Sequence, residues 1–208
     1  MKKYLILVLI VISTSSYAQE KLILGFDAGS LVAGEHLTYK PAGLSYTYKP
    51  DYLFGIEAGY GFSEVFALRM QMFIDQRTVS SKRSFQTVDS ESHNIFSYTE
   101  SGGSSNSYLE IPITAKYNFF SGRTHGYVFA GPVITFGLEN GVSNYIGIVG
   151  GAGYSRDLTH LITFFAEAGY TIGLSNLSND YYIKNFARDF RFNAGLLFNI
   201  GLPIEIDY

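Results

Sequence analysis

The chain has 208 residues, 15 of them basic and 18 acidic for a formal charge of −3, and no cysteine. That balance gives nucleic acid no electrostatic reason to bind, and it excludes disulfides, a lipid-anchored lipoprotein and thiolate metal sites. Charged residues are 16% of the chain and aromatics 16%, with 22 glycines; soluble domains carry about 25% charged residues, so the mixture suits a β-barrel better than an aqueous globule.

Residues 1–18 have the three parts of a secretory signal peptide: Lys2 and Lys3, the apolar run from Tyr4 to Ile12, and Ser16-Tyr17-Ala18 before Gln19. Residues 19–208 are expected to form one domain. No later run reaches the roughly 18 apolar residues of a helical membrane span.

Beyond residue 18 the chain is a series of segments with period-two alternation, which in a strand separates one apolar face from one polar face. The first sets Leu22, Leu24, Phe26 and Ala28 against Asp27 and glycines. The second sets Tyr52, Phe54, Ile56, Ala58 and Tyr60 against Leu53, Glu57 and glycines, and the third Phe66, Leu68, Met70, Met72 and Ile74 against Arg69, Gln71, Phe73 and Asp75. In the fourth, Leu109, Ile111, Ile113, Ala115, Tyr117 and Phe119 alternate with Glu110, Pro112, Thr114 and Lys116; the proline lacks a ladder donor, so the pairing must tolerate a missing bond. The fifth, around 127–138, is apolar on both sides and its facing stays open. The sixth sets Ile146, Ile148, Ala152 and Tyr154 against Tyr145, Val149 and glycines. The seventh sets Ile162, Phe164, Ala166, Ala168, Tyr170 and Ile172 against Leu161, Thr163, Phe165, Glu167, Gly169 and Thr171. The eighth sets Phe190, Phe192, Ala194, Leu196, Phe198, Ile200 and Leu202 against Arg191, Asn193, Gly195, Asn199 and Gly201, with Leu197 the one break in the pattern.

Short connections at 61–64, 120–124 and 155–159 alternate with long stretches at 31–51, 76–106 and 174–188; the connection at 139–143 is short and departs from that rule. Short turns at one end and long loops at the other are the habit of outer-membrane barrels. The predicted fold is therefore all-β, an eight-stranded antiparallel up-and-down transmembrane β-barrel, closed because an open edge in hydrocarbon would leave backbone groups unpaired. Interfacial aromatic girdles are expected from Tyr60, Phe62, Phe66, Tyr117, Phe119, Phe120, Tyr154 and Phe198 at the inner side, and from Tyr46, Tyr48, Tyr52, Tyr170 and Phe190 at the outer.

Four motifs in order, Tyr108-Leu109-Glu110-Ile111-Pro112 with Lys116-Tyr117, Ala130-Gly131-Pro132, Gly150-Gly151-Ala152-Gly153 and Gly173-Leu174-Ser175-Asn176, resemble the PorT-like outer-membrane β-barrel family over nearly the whole mature chain. The resemblance implies an eight-stranded barrel in the outer membrane of a Gram-negative bacterium. It supplies no catalytic residues.

The inward positions carry the candidate functional groups. Asp27, Glu57, Arg69, Asp75, Glu110, Lys116, Glu167 and Arg191 fall on polar faces and are expected to form a paired polar interior without cofactor or metal, since a barrel of eight strands is filled by its own side chains. Arg77, Lys82 and Arg83 open the serine-rich 77–106 loop and form a candidate contact for lipopolysaccharide phosphates. Val79, Phe85, Val88, Ile95, Phe96 and Tyr98 are positioned to extend that hairpin beyond the membrane and offer a sheet edge to a protein partner. His36, His93, His125 and His160 are widely separated; the nearest hydrolytic grouping is Asp157 with His160 and Ser155. The Gly147 to Gly153 run has no following helix, so it does not make a phosphate cradle.

The leading expectation is a non-enzymatic outer-membrane barrel bounded by lipid, acting through its outer loops. Two alternatives remain at this point: a membrane-embedded enzyme acting on lipid or peptide, and a soluble lipocalin-like barrel with its apolar faces turned inward.

Overall fold

A computed structural model describes residues 21–37, 44–63, 65–88, 95–119, 123–175 and 185–201. The predicted signal peptide, His93 and Phe120 lie outside them. The strands are β1 Lys21–Val32, β2 Glu35–Leu37, β3 Leu44–Tyr48, β4 Pro50–Gly61, β5 Phe66–Val88, β6 Ile95–Asn118, β7 Thr124–Gly137, β8 Tyr145–Asp157, β9 Ile162–Gly173 and β10 Asn185–Gly201. Leaving aside β2 and β3, each pairs antiparallel with the next, and β10 returns to pair with β1 from Lys21↔Gly201 to Val32↔Phe190. The result is a closed ring of eight strands.

The alternation in sequence becomes an inside-out distribution of polarity. Ile56 is 61% exposed and Ile74 58%, both on the outer wall, whereas Arg191 is 2% exposed and Glu110 1%, both in the lumen. This is the reverse of the lipocalin-like arrangement, which would bury the apolar faces. The fifth predicted segment is resolved by β7: Tyr127, Phe129, Val133 and Thr135 are buried inward, while Val128, Ile134 and Phe136 are exposed. Its inward positions read as apolar because aromatic rings line this part of the lumen, with Tyr127, Phe129, Val133 and Val149 forming a buried apolar cluster.

The turns follow local chemistry. Ser63 Oγ accepts from the amides of Val65 and Phe66 between β4 and β5, and Thr159 Oγ1 accepts from those of Leu161 and Ile162 between β8 and β9, hydroxyl-anchored turns in both cases. Between β7 and β8, Asn144 Oδ1 accepts from Gly137 N at 2.9 Å, and Gly141 takes a φ of 87° that side chains disfavour. Prolines interrupt the ladders without shifting the register: β6–β7 pairing runs to Pro112↔Val133, skips Ile113 and Thr114 opposite Gly131 and Pro132, and resumes at Ala115↔Ala130. At this gap the strands crowd together. A Cβ on Gly131 would sit 1.9 Å from the Ile113 carbonyl oxygen, so only glycine fits.

At the long-hairpin end the structure departs from the loop expectation. Most of 76–106 is strand: β5 and β6 stay in register from Phe66↔Tyr117 to Val88↔Ile95, well beyond the last β6–β7 pair at Tyr108↔Gly137. β3 joins the other flank of β5 through Leu44↔Arg83 to Tyr48↔Val79, and β2 covers β10 through Glu35↔Ala187 to Leu37↔Asn185. Tyr46 and Tyr48 therefore do not join an outer girdle. Their register puts them on the face of Ser81 and Val79, which continues the lumen wall, and their rings stack at 6.5 Å. At the short-turn end the expected aromatics do cluster outside, with Tyr60–Phe62 at 5.0 Å, Phe62–Phe66 at 5.9 Å and Tyr117–Phe119 at 5.5 Å.

Candidate functional site

β5 sends five successive inward positions into the lumen, Arg69, Gln71, Phe73, Asp75 and Arg77, and two polar networks form around its ends. Toward the long-hairpin end Arg77 is the hub. Its Nε and Nη2 hold Asp75 at 2.7 and 3.2 Å, Nη2 also reaches Glu110 at 3.0 Å, and Nη1 donates to Asp189 Oδ2 and Tyr145 Oη, both at 2.7 Å. Tyr145 in turn donates to Asp189 at 2.7 Å. Glu110 accepts a second guanidinium from Arg191 at 2.5 Å. Aromatic faces complete the seat, with Tyr108 4.5 Å from the Arg77 guanidinium and Phe73 5.0 Å from that of Arg191.

Toward the short-turn end Glu167 is the hub. It takes Arg69 Nη1 at 2.7 Å, Tyr127 Oη at 3.1 Å and Asn193 Nδ2 at 3.2 Å. Arg69 also donates to Thr114 at 2.9 Å, lies 3.5 Å from Glu57 and stacks 4.3 Å from the Phe129 ring. The Gln71 amide nitrogen lies among three carboxylates, at 3.0 Å from Glu57 and 3.4 Å from Asp27 and Glu167, and Asn193 donates to Asp27 at 2.7 Å. Lys116 is half-buried below this network, its amine 3.8 Å from the Tyr127 ring centroid.

Every residue of the predicted interior group thus faces the lumen: Asp27, Glu57, Arg69, Asp75, Glu110, Glu167 and Arg191 are buried, and Lys116 is half-buried. Six buried carboxylates meet three buried guanidiniums: Arg69 serves two acids, Arg77 three, and Arg191 pairs with Glu110. Desolvating an ion costs several kcal/mol, and pairing with further hydrogen bonds is what offsets it. The arrangement holds strands together across the lumen and fills it.

The predicted basic trio does not exist as a cluster. Adjacent residues of a strand point to opposite faces, and β5 continues through all three positions. Arg77 is 6% exposed inside the lumen, Lys82 is exposed on the outer face, and Arg83 lies on the face opposite Lys82 with its guanidinium 4.5 Å from the Phe85 ring. Arg77 is a strand residue and not a loop residue, and it shares parity with Arg69 and Asp75. Asp189, absent from the predicted interior group, belongs there for the same reason: β10 begins before it, and it shares parity with Arg191. Gln71 and Asn193 stand on the polar faces but carry no charge to single them out.

The nearest hydrolytic grouping in the sequence is also rearranged. The histidine near Asp157 is His125, at 3.9 Å, and not His160, which is exposed in the turn between β8 and β9. Asp157 accepts from Thr163 Oγ1 at 2.6 Å, and Ser155, opposite His125 in the ladder, is 2% exposed.

No family model matches the chain, nor does any curated protein at a meaningful level of similarity. Solved structures do match. The outer membrane protein OprG from Pseudomonas aeruginosa aligns over 89% of this chain and 97% of its own, with TM-score 0.57 and 13% identity. The outer membrane protein AlkL, determined by solid-state NMR in DMPC lipid bilayers, aligns over 92% and 95% with TM-score 0.54 and 16% identity. Neisserial surface protein A aligns over 85% and 96% with TM-score 0.52 and 16% identity. The fold is that of the eight-stranded outer-membrane β-barrel proteins.

Proposed function

We propose that the chain is an integral, non-enzymatic protein of the outer membrane, exported by residues 1–18, with a sealed polar lumen and an interaction role carried by its long hairpins. The observation that carries this reading is the inversion of polarity: large apolar side chains ring the outside of a closed cylinder, while the ionic groups are buried within it. Such a surface is stable against hydrocarbon and unfavourable in water. The four sequence motifs support kinship with the PorT-like family within this class. Against a catalytic role stands the occupation of the lumen acids, which are engaged with arginines and amides rather than presented to a cleft. Lys82, exposed on the outer face of β5, is the member of the basic trio suited to a lipopolysaccharide phosphate.

Fractionation and gel mobility test the reading together. The protein is expected in the outer-membrane fraction, to require detergent for extraction, and to change its gel migration on boiling as a closed barrel unfolds. Recovery in the soluble fraction without detergent would overturn it. In planar bilayers a filled lumen predicts no sustained porin-sized conductance.

A further inference from the structure

The molecule covers its sheet edges almost everywhere. The ring closes through β1 and β10, β2 lies along the upper part of β10, and β3 lies along the upper part of β5. The short β2 and β3 pair on one flank only, and the longest open edge among the described residues is the second flank of β6. Its pairing with β7 ends at Tyr108↔Gly137, yet the strand continues for thirteen residues to Ile95. Just past that end, the missing strand is partly imitated: the Glu139 carboxylate accepts from Ser107 N at 3.1 Å, and Leu138 N donates to Ser107 O at 2.9 Å. Beyond Ser107 no described residue takes over.

Backbone parity identifies which groups point at this flank. Ser107 N turns toward β7 and Asn118 N toward the β5 side, where it donates to the Val65 carbonyl. With no register shift between β5 and β6, the amides and carbonyls of Ser97, Thr99, Ser101, Gly103 and Ser105 therefore face outward along the edge. Most of the usual protections of an exposed edge are lacking here: between Ser97 and Ser107 there is no proline, no lysine and no bulge, and Glu100 is the one charge.

We propose that this flank of β6 docks an extended polypeptide strand from an extracellular protein, added antiparallel to the sheet. The inference rests on the reading of the chain as an outer-membrane protein with its long hairpins outside. Glu100 is the single charged side chain between Ile95 and Ser107 and is exposed, so the incoming strand carries a basic residue opposite it. Tyr98, 56% exposed on the same face, favours an aromatic or β-branched neighbour two residues away. A second copy fits less well. Copies in one membrane are related by rotation about its normal, so their β6 strands run the same way, whereas every pair in this sheet is antiparallel.

The probe is the synthetic peptide Thr-Val-Ser-Ser-Lys-Arg-Ser-Phe, a copy of residues 78–85, which already pairs antiparallel with the opposite flank of β6 and brings Arg83 to Glu100 and Phe85 to Tyr98. Amide exchange is followed by NMR on the full mature chain in lipid nanodiscs. The peptide is expected to slow exchange at Thr99, Ser101 and Gly103 by about tenfold or more, as newly paired amides become protected, and to leave the interleaved amides unchanged. Gly103→Pro removes an edge donor without removing a β5–β6 bond, and Glu100→Lys reverses the complementary charge. Both are expected to weaken peptide binding by about tenfold while keeping the heat-dependent gel shift. Unchanged exchange at the three amides, or binding by both variants as tight as that of the wild type, overturns the proposal. So does slow exchange before peptide is added in discs that hold two barrels, which would mean that a second copy takes the edge. Failure to enter the nanodiscs or to shift on gels would instead count against the membrane reading itself.

Discussion

Arg77 of β5 and Asp189 of β10 meet across the lumen at 2.7 Å, 112 residues apart in sequence, with the Tyr145 hydroxyl bonded to the same carboxylate oxygen. The contact links non-adjacent staves of the cylinder. Backbone ladders join each strand only to its neighbours, so pairs of this kind resist ovalisation of the barrel and fix its cross-section.

Removing Arg77 takes the only guanidinium from Asp75 and Asp189 and leaves Glu110 with Arg191 alone. Arg77→Met should destabilise the barrel by about 3 to 5 kcal/mol, the range for breaking a buried ion pair from one side. The measurement is a urea titration of the heat-dependent gel shift in lipid vesicles. The same variant should bind lipopolysaccharide as the wild type does, since Arg77 is enclosed.

On the outer wall the penalty has a different origin. Ile56→Arg puts a charge against hydrocarbon and should cost about 2 to 4 kcal/mol if the position lies near the midplane. A variant as stable as the wild type in bilayers would show that β4 does not face lipid.

Two glycines make a matched pair. At Gly131 a methyl group would collide with the Ile113 carbonyl, so Gly131→Ala should lose about 1 to 3 kcal/mol through strain. At Gly103 the nearest atom to a new Cβ is 3.5 Å away, an ordinary contact. Gly103→Ala should therefore be neutral or gain about 0.5 kcal/mol from the reduced freedom of the unfolded chain. Equal effects in equilibrium unfolding would refute the assigned crowding at the proline gap.

Gln71 is the neutral donor among Asp27, Glu57 and Glu167. Gln71→Leu deletes those bonds and should cost about 1 to 3 kcal/mol. Gln71→Glu is nearly isosteric but adds a fourth carboxylate, so its unfolding midpoint should fall below that of the leucine variant. The reverse order would mean that the amide fills space and does not balance charge.

Much of the fold is legible in the chain because a strand shows its two faces in strict alternation. Asp27, Glu57, Arg69, Asp75, Glu110, Glu167 and Arg191 are assigned to the interior by parity alone. Parity misleads where it is stopped too soon. Arg77 and Asp189 continue the inward series of β5 and β10, but a serine-rich composition and an assumed loop boundary hide them. β7 is ambiguous for another reason: Tyr127 and Phe129 are inward aromatics that seat Lys116 and Arg69, and an apolar residue facing polar partners carries no mark of its facing. The third dimension also splits Lys82 from Arg83, neighbours in sequence that lie on opposite faces of one sheet.

The pairing of β1 with β10 imposes an order on biogenesis. The two ends of the sequence supply the two strands of the seam, so β1 keeps one border unpaired until β10 is in place. Closure is thus the terminal event of assembly. A chain that stopped before Asn185 would be left as an unsealed sheet with two open borders, not a smaller working cylinder.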